Sequence, residues 1–415
     1  MSQDIFNKKN VRLKASAYKP NQHRAARMAV LHLCGRLNYG DPARETVSLA
    51  VLMHRLGWRS ILVSGGGSLV KEVERAAVSH VRMPLDRQGL FVNWENRARL
   101  KALVQREKPV LVHAHGMDAV DMGSRMGLLY HLPLVVDLTQ PFPDTARTRR
   151  LITRMSQASC TIRVPSCMMA AYLTQTFQIN PAVIQCVPPG IDLQAYNTAA
   201  ITLERLQALS HLWRLPELAT VVLVAMPLEP GMGHEVFLDA MALADAPLYA
   251  VVIGSDEKAP GFRKEMEKKA EKLGLNGKVI MFDSCPDWPA AFWLSNVVAA
   301  ANTVPTGQNK ELLEAQALGR PVIVSDIGAN AEMVSQDETA LMVPPGNTQA
   351  LAEALKIAAH MGTNQRVSVA EDARFFVEEN FPQATWFNGV MDLYESLLYP
   401  GAFRQEDASL LARSA

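Results

Sequence analysis

The sequence predicts an α/β protein built from two doubly wound domains. Three observations predict it. Short apolar runs alternate with amphipathic stretches along most of the chain, the pattern of parallel strands covered on both faces by helices. That alternation starts afresh after residue 197. The length of 415 residues suits two large domains at roughly 150 residues or more each. A content of 48% hydrophobic and 20% charged residues is ordinary for a globular chain and excludes wholesale disorder. Forty-two Lys and Arg against 41 Asp and Glu leave +1, which excludes a protein basic throughout for nucleic acid.

Residues 1–28 form a basic arm. Lys8, Lys9, Arg12, Lys14, Lys19, Arg24 and Arg27 face one acid, Asp4, with no sustained apolar period. The arm reads either as a solvated extension or as a contact for anionic lipid, at about 1 kcal/mol per basic residue near the surface. The first domain spans 29–197, with strands at 29–34, 60–64, 110–113, 134–136, 161–164 and 183–187 and helices such as 43–56 and 117–130. The second spans 198–383, with strands at 221–225, 249–253, 279–282, 297–300 and 322–324. Its helices fall around 233–244, 261–273, 311–318 and 348–359. A last helix at 384–398 carries Trp386, Phe387, Met391, Leu393 and Leu397 and is expected to cross back to the first domain, followed by a tail at 399–415.

The five cysteines (Cys34, Cys160, Cys167, Cys186, Cys285) are odd in number and contain no C-x-x-C, so neither a disulfide framework nor a zinc site is expected. The longest nearly apolar run, 290–301, is broken by Ser295-Asn296 and is shorter than the ~20 residues a membrane span requires. The N-terminus has no apolar signal core, so the expected location is cytoplasmic.

Several loops after strands are distinctive. Val112-His113-Ala114-His115-Gly116 follows one strand, and Val187-Pro188-Pro189-Gly190-Ile191-Asp192 closes the first half. Glu314-Ala315-Gln316-Ala317-Leu318-Gly319-Arg320-Pro321 is followed by Gly328-Ala329-Asn330-Ala331-Glu332 and Val343-Pro344-Pro345-Gly346. In this order over residues 29–398, the motifs resemble the retaining glycosyltransferases of family 4. The resemblance implies the GT-B fold, two Rossmann-like domains facing across a cleft, with acceptor bound by the first and nucleotide sugar by the second. It implies metal-independent transfer from a nucleoside diphosphate sugar, with no cofactor. The leaving diphosphate then has to be met by preorganised positive charge and amide donors.

The positions that carry this chemistry in the family are altered here. The Arg and Lys of the second domain align with Met226 and Met232. The first of two donor-holding Glu residues aligns with Thr306, and the second is Glu314. Thr139 stands where the family has a His at the end of a first-domain strand. The Gly-Gly loop aligns with Gly40-Asp41, which adds a negative charge. A thioether cannot replace a cation, because it is a weak acceptor and no donor. No catalytic residue is therefore assigned, and His115 is a candidate substitute for the missing His. Arg36, Arg44 and Lys310 are candidate replacement cations. Gly40, Gly307, Glu314 and Gly328 are the candidate nucleotide-sugar-binding residues, with Glu314 expected to open its helix. Glycines there read as close-approach sites or as plain turn residues.

A second basic cluster comprises Arg147, Arg149, Arg150, Arg154 and Arg163. Arg147, Arg150 and Arg154 share one helix face, which suits either solvent or an anionic membrane or acceptor. Three readings follow. The first is a family 4-like homologue in surface polysaccharide or glycolipid assembly whose sugar transfer is impaired or lost, a pseudoenzyme or scaffold with a protein partner. The second is an active transferase with a rebuilt donor site, and the third a nucleotide-sugar sensor.

Overall fold

The structure, a computed structural model, describes residues 28–399 apart from Tyr39, Asp41, residues 87–89, Leu218 and Asp337. The basic residues of the arm (Lys8, Lys9, Arg12, Lys14, Lys19, Arg24 and Arg27), Asp41 of the Gly40-Asp41 pair and the tail beyond Tyr399 lie outside the described residues. The chain divides into two compact units. One comprises the residues up to Pro188 together with those from Ala384 onward, and the other is Pro189–Gln383.

The first unit holds seven parallel strands: β1 (Ala29–Cys34), β2 (Arg59–Ser64), β3 (Ser79–Arg82), β4 (Leu111–His115), β5 (Leu134–Asp137), β6 (Cys160–Val164) and β7 (Ile184–Cys186). Their spatial order is β3-β2-β1-β4-β5-β6-β7. β1 and β4 are buried along their whole length because both faces of the sheet are covered. Alternate residues therefore feed two cores. Leu31, Leu33, Val112 and Ala114 pack with helices Met117–Tyr130 and Ala146–Gln157. Val30, Leu111 and Val135 pack on the other side with Leu49 and Met53 and with Trp386, Phe387, Val390, Met391 and Tyr394 of helix Gln383–Leu398. The spacing 386, 390, 394 and 387, 391 puts those five side chains on one helical stripe. Each such burial contributes about 1.5–3 kcal/mol, so the C-terminal helix is firmly part of the first unit.

The second unit holds β8 (Thr220–Ala225), β9 (Leu248–Ile253), β10 (Val279–Phe282), β11 (Val297–Ala300), β12 (Val322–Ser325) and β13 (Ala340–Val343), in the order β10-β9-β8-β11-β12-β13. All pairings in both sheets are parallel. The sequence reading missed β3, a short strand whose residues Ser-His-Val-Arg are only partly buried and carry no apolar run. In each sheet the winding reverses between strands distant in sequence, β1 beside β4 and β8 beside β11. Crevices at the carboxyl ends of such reversal points are where doubly wound sheets bind ligands. Among the described residues no helix is long and apolar enough to cross a membrane.

Candidate functional site

In the second unit, three loops meet at the carboxyl ends of β8, β11 and β12. The loop after β8 carries Met226 and Met232, the loop after β11 carries Thr306 and Gly307, and the loop after β12 carries Gly328. Backbone hydrogen bonds join them. Thr303 N–H donates to Gly231 O at 2.8 Å, and Ala329 N–H donates to Thr306 O at 2.9 Å. Two glycines make the approach possible. At Gly233, φ is +82° and a Cβ would lie 1.8 Å from Ala301 O; at Gly328, φ is +66° and a Cβ would lie 2.5 Å from Thr306 N. Asn330, quoted above only as part of a motif, fastens this arrangement. Its Nδ2 donates to Ser325 O at 2.9 Å and to Asn302 Oδ1 at 3.0 Å. His234 closes the loop after β8 by donating from Nε2 to Pro227 O at 2.8 Å, and burial lowers its pKa.

The predicted residues in these loops differ in exposure. Met226 is buried and Met232 half-buried. Thr306 is buried, and among the described residues its Oγ1 has no hydrogen-bond partner; nor has Nδ2 of the equally buried Asn309. Helix Lys310–Ala317 follows directly, so a ligand here would meet the positive end of its dipole. Lys310 is only 8% exposed and forms no ion pair with any described residue. The expectation that Glu314 opens this helix is corrected: Lys310 is the first helical residue, and Glu314, the fifth, is fully buried on the inward face with Leu313 and Ala317.

In the first unit, Gly40, His115 and Thr139 sit in the loops or strand ends at the carboxyl side of β1, β4 and β5. Gly40 has φ +139° with open space around its missing Cβ, whereas Thr139 is buried. His115 is not presented at the mouth of its strand. It is 1% exposed and committed to a polar cluster that the sequence reading did not anticipate. The cluster lies on one sheet face, because His32 of β1 registers with His113 of β4, His115 with Asp137 of β5, and Asp137 with Arg163 of β6.

His115 Nδ1 donates to Asp137 Oδ2 at 2.9 Å, and His115 Nε2 lies 3.2 Å from His32 Nδ1. His113 Nε2 lies 2.9 Å from Asp137 Oδ1, and its Nδ1 is 2.6 Å from the Tyr394 hydroxyl. Arg163 donates from Nη2 to Glu45 Oε2 at 2.7 Å and from Nη1 to Asp137 Oδ2 at 3.5 Å. Burial would raise the Asp137 pKa, but the Arg163 guanidinium and the two histidines overcome it and hold it well below the usual carboxylate range. Burial lowers His115 to about 4 and His32 well below its ordinary value, so both rings are neutral at pH 7.

Arg163 therefore leaves the surface cluster to which the sequence reading assigned it. Arg149 pairs with Asp144, and Arg154 pairs with Asp121. Arg147 and Arg150 remain exposed on helix Ala146–Gln157. Arg36, a candidate replacement cation, lies 3.8 Å from Asp86.

Residues 43–195 match the description Glycosyltransferase Family 4 and residues 219–360 match Glycosyl transferases group 1, together well over half of the chain. The chain belongs to the family 4 glycosyltransferases. It is 28% identical over 228 residues to D-inositol 3-phosphate glycosyltransferase of Jonesia denitrificans, covering 52% of this chain and 51% of that one. It is 27% identical over 176 residues to the lipopolysaccharide core biosynthesis mannosyltransferase LpsB of Rhizobium meliloti, covering 40% and 48%. The chain thus spans about half the length of the curated relatives it matches. Among solved structures, Anabaena Alr3699/HepE in complex with UDP-glucose superposes with a TM-score of 0.80 at 18% identity, covering 89% of this chain and 100% of that one. WaaG, a glycosyltransferase involved in lipopolysaccharide biosynthesis, gives 0.69 at 16% identity, covering 88% and 99%. The fold class of this family member is accordingly the α/β GT-B class expected from its sequence.

Proposed function

We propose that this family 4 chain binds a nucleoside diphosphate sugar in the loops after β8, β11 and β12, and that its sugar transfer is impaired or lost. The observation that carries the binding reading is the pair of buried, unpartnered polar atoms, Thr306 Oγ1 and Asn309 Nδ2, beside the helix opened by Lys310. A buried polar atom without a partner costs about 1–3 kcal/mol, and ligand hydroxyls or phosphate oxygens would relieve that cost. Lys310, nearly buried and without an ion pair, supplies positive charge from a residue not carried over from the family motif. The remaining candidates Gly307, Glu314 and Gly328 belong to the same loops and helix, and Gly40 belongs to the first unit.

The impaired-transfer reading rests on Met226 and Met232, which stand at the aligned positions of the family's two cations. Losing one preorganised donor costs about 10²–10³ in rate, and the loss of two is not simply additive. The relatives named for lipopolysaccharide core biosynthesis and inositol phosphate glycosylation support a role in surface glycan or glycolipid assembly. On the acceptor side, the proposal extends to an anionic membrane surface at the inner face of the membrane, through exposed Arg147 and Arg150 with Arg154 beside them.

Two measurements on the same preparation test this. Calorimetric titration with nucleoside diphosphates and their hexose conjugates is expected to show binding, while product assays with the bound donor show little or no turnover. Rapid transfer overturns the impaired reading in favour of an active enzyme. Absence of binding by folded protein overturns the nucleotide-sugar reading altogether and leaves a scaffold that acts through a protein partner.

A further inference from the structure

We propose that His32, His113 and His115 form a site for a first-row divalent metal ion of the zinc class, buried inside the first unit. Each of the three offers a ring nitrogen, and these nitrogens all lie within 4.8 Å of one another. Sheet geometry produces the grouping. His113 and His115 are two residues apart on β4 and so point to the same face, and His32 is the register partner of His113 on the neighbouring β1. Two histidines from one strand and a third from the next make a three-imidazole set of the kind zinc binds.

The surrounding hydrogen bonds assign the nitrogens. His115 Nδ1 is taken by Asp137 Oδ2 at 2.9 Å, which leaves Nε2 for an ion. His113 Nδ1 faces the Tyr394 hydroxyl at 2.6 Å, so its Nε2, 2.9 Å from Asp137 Oδ1, is the nitrogen that would turn to an ion. The His32 nitrogen facing His115 is Nδ1, 3.2 Å from His115 Nε2. That spacing is close to the ~3.3 Å edge expected for two nitrogens bound tetrahedrally at about 2.0–2.1 Å from zinc. A carboxylate bonded to the outer nitrogen of a ligating imidazole is the usual support for a metal-bound histidine, and Asp137 supplies it for His115.

The site is enclosed: the Glu45, Asp137 and Arg163 side chains around it are at most 2% exposed. The closed surroundings make the ion a staple that joins β1 and β4, with its outer bonds reaching β5 and the C-terminal helix. This role is independent of nucleotide binding, which the second unit is proposed to carry.

The test uses the full chain, produced without a polyhistidine tag and without added metal. Elemental analysis is expected to find about one zinc or similar ion per chain. After removal with a strong chelator, added Zn²⁺ raises the thermal midpoint and Mg²⁺ does not, and Co²⁺ gives the visible absorption of a tetrahedral nitrogen site. His32→Ala is expected to lower the metal content at least ~10-fold. Because that variant could fail to fold, the wild-type readouts decide. Substoichiometric metal together with no midpoint shift in Zn²⁺ overturns the proposal and leaves the 3.2 Å contact as a simple hydrogen bond between neutral rings.

Discussion

Replacing Arg163 by Met tests how the polar cluster is held together. Arg163 is 1% exposed and bonds Glu45 Oε2 at 2.7 Å and Asp137 Oδ2 at 3.5 Å. Met matches the aliphatic stem but removes the guanidinium that the buried carboxylates of Glu45 and Asp137 share. Breaking a buried ion pair on one side costs about 3–5 kcal/mol, chiefly the desolvation of the charge left behind. For a unit of this size each kcal/mol lowers the midpoint by roughly 2–4 °C, so thermal unfolding followed by circular dichroism should fall by roughly 6–20 °C. Adding Glu45→Gln to the variant removes one stranded charge and should recover part of the loss, a non-additivity expected only for groups in contact. A drop below about 2 °C, or a double variant that simply sums two losses, would refute the assignment of Arg163 as the compensating charge.

Other residues offer independent checks. Gly233→Ala places a methyl group against the Ala301 carbonyl and should separate the loops after β8 and β11, abolishing nucleotide binding by a protein that is also less stable; unchanged binding would contradict the loop geometry. Tyr394→Phe strands His113 Nδ1 and should cost about 1–3 kcal/mol in urea unfolding, with a cost near zero as the contrary result. Arg205 grips Asp287 through two bonds of 2.6 and 2.7 Å and lowers its pKa. That stabilisation is present above the unfolded carboxyl pKa of about 3.9 and is lost as pH falls through the lower folded value, so the deficit of Arg205→Ala, about 1 kcal/mol at pH 7, should shrink below pH 4. Burial pushes Cys34 up to about 12 while Cys167 is exposed, so a thiol reagent at pH 8 should label Cys167 first and Cys34 roughly 10³-fold more slowly. Comparable rates would show that the first unit opens readily.

Much of the fold was legible because its strands are long apolar runs: Val221 to Ala225 or Val110 to His113 admit few other readings. The strand β3 was not, since His80 and Arg82 interrupt any pattern and only pairing with β2 makes the segment extended. The loops after β8, β11 and β12 carry glycines and prolines, which act locally and show in sequence. The histidine cluster was half visible as His113-Ala114-His115, but His32, Asp137, Arg163 and Tyr394 join it only through strand register and the packing of a helix at the far end of the chain. Arg163 in particular reads as one of five neighbouring arginines until its strand turns it inward. The count of cysteines spoke only to thiolate sites and was silent on the histidines.

Under the proposed function, the loops after β8, β11 and β12 hold a nucleoside diphosphate sugar with Lys310 as their cation. Isothermal titration of the wild type and of Lys310→Met with UDP, GDP, ADP and TDP and their hexose conjugates tests it most directly. The expected result is a dissociation constant below about 1 mM for one nucleotide, a free energy of some 4 kcal/mol or more, and at least ~10-fold weaker binding by the variant. Equal affinities for both proteins, or no heat from any nucleotide with protein shown to be folded, would contradict it.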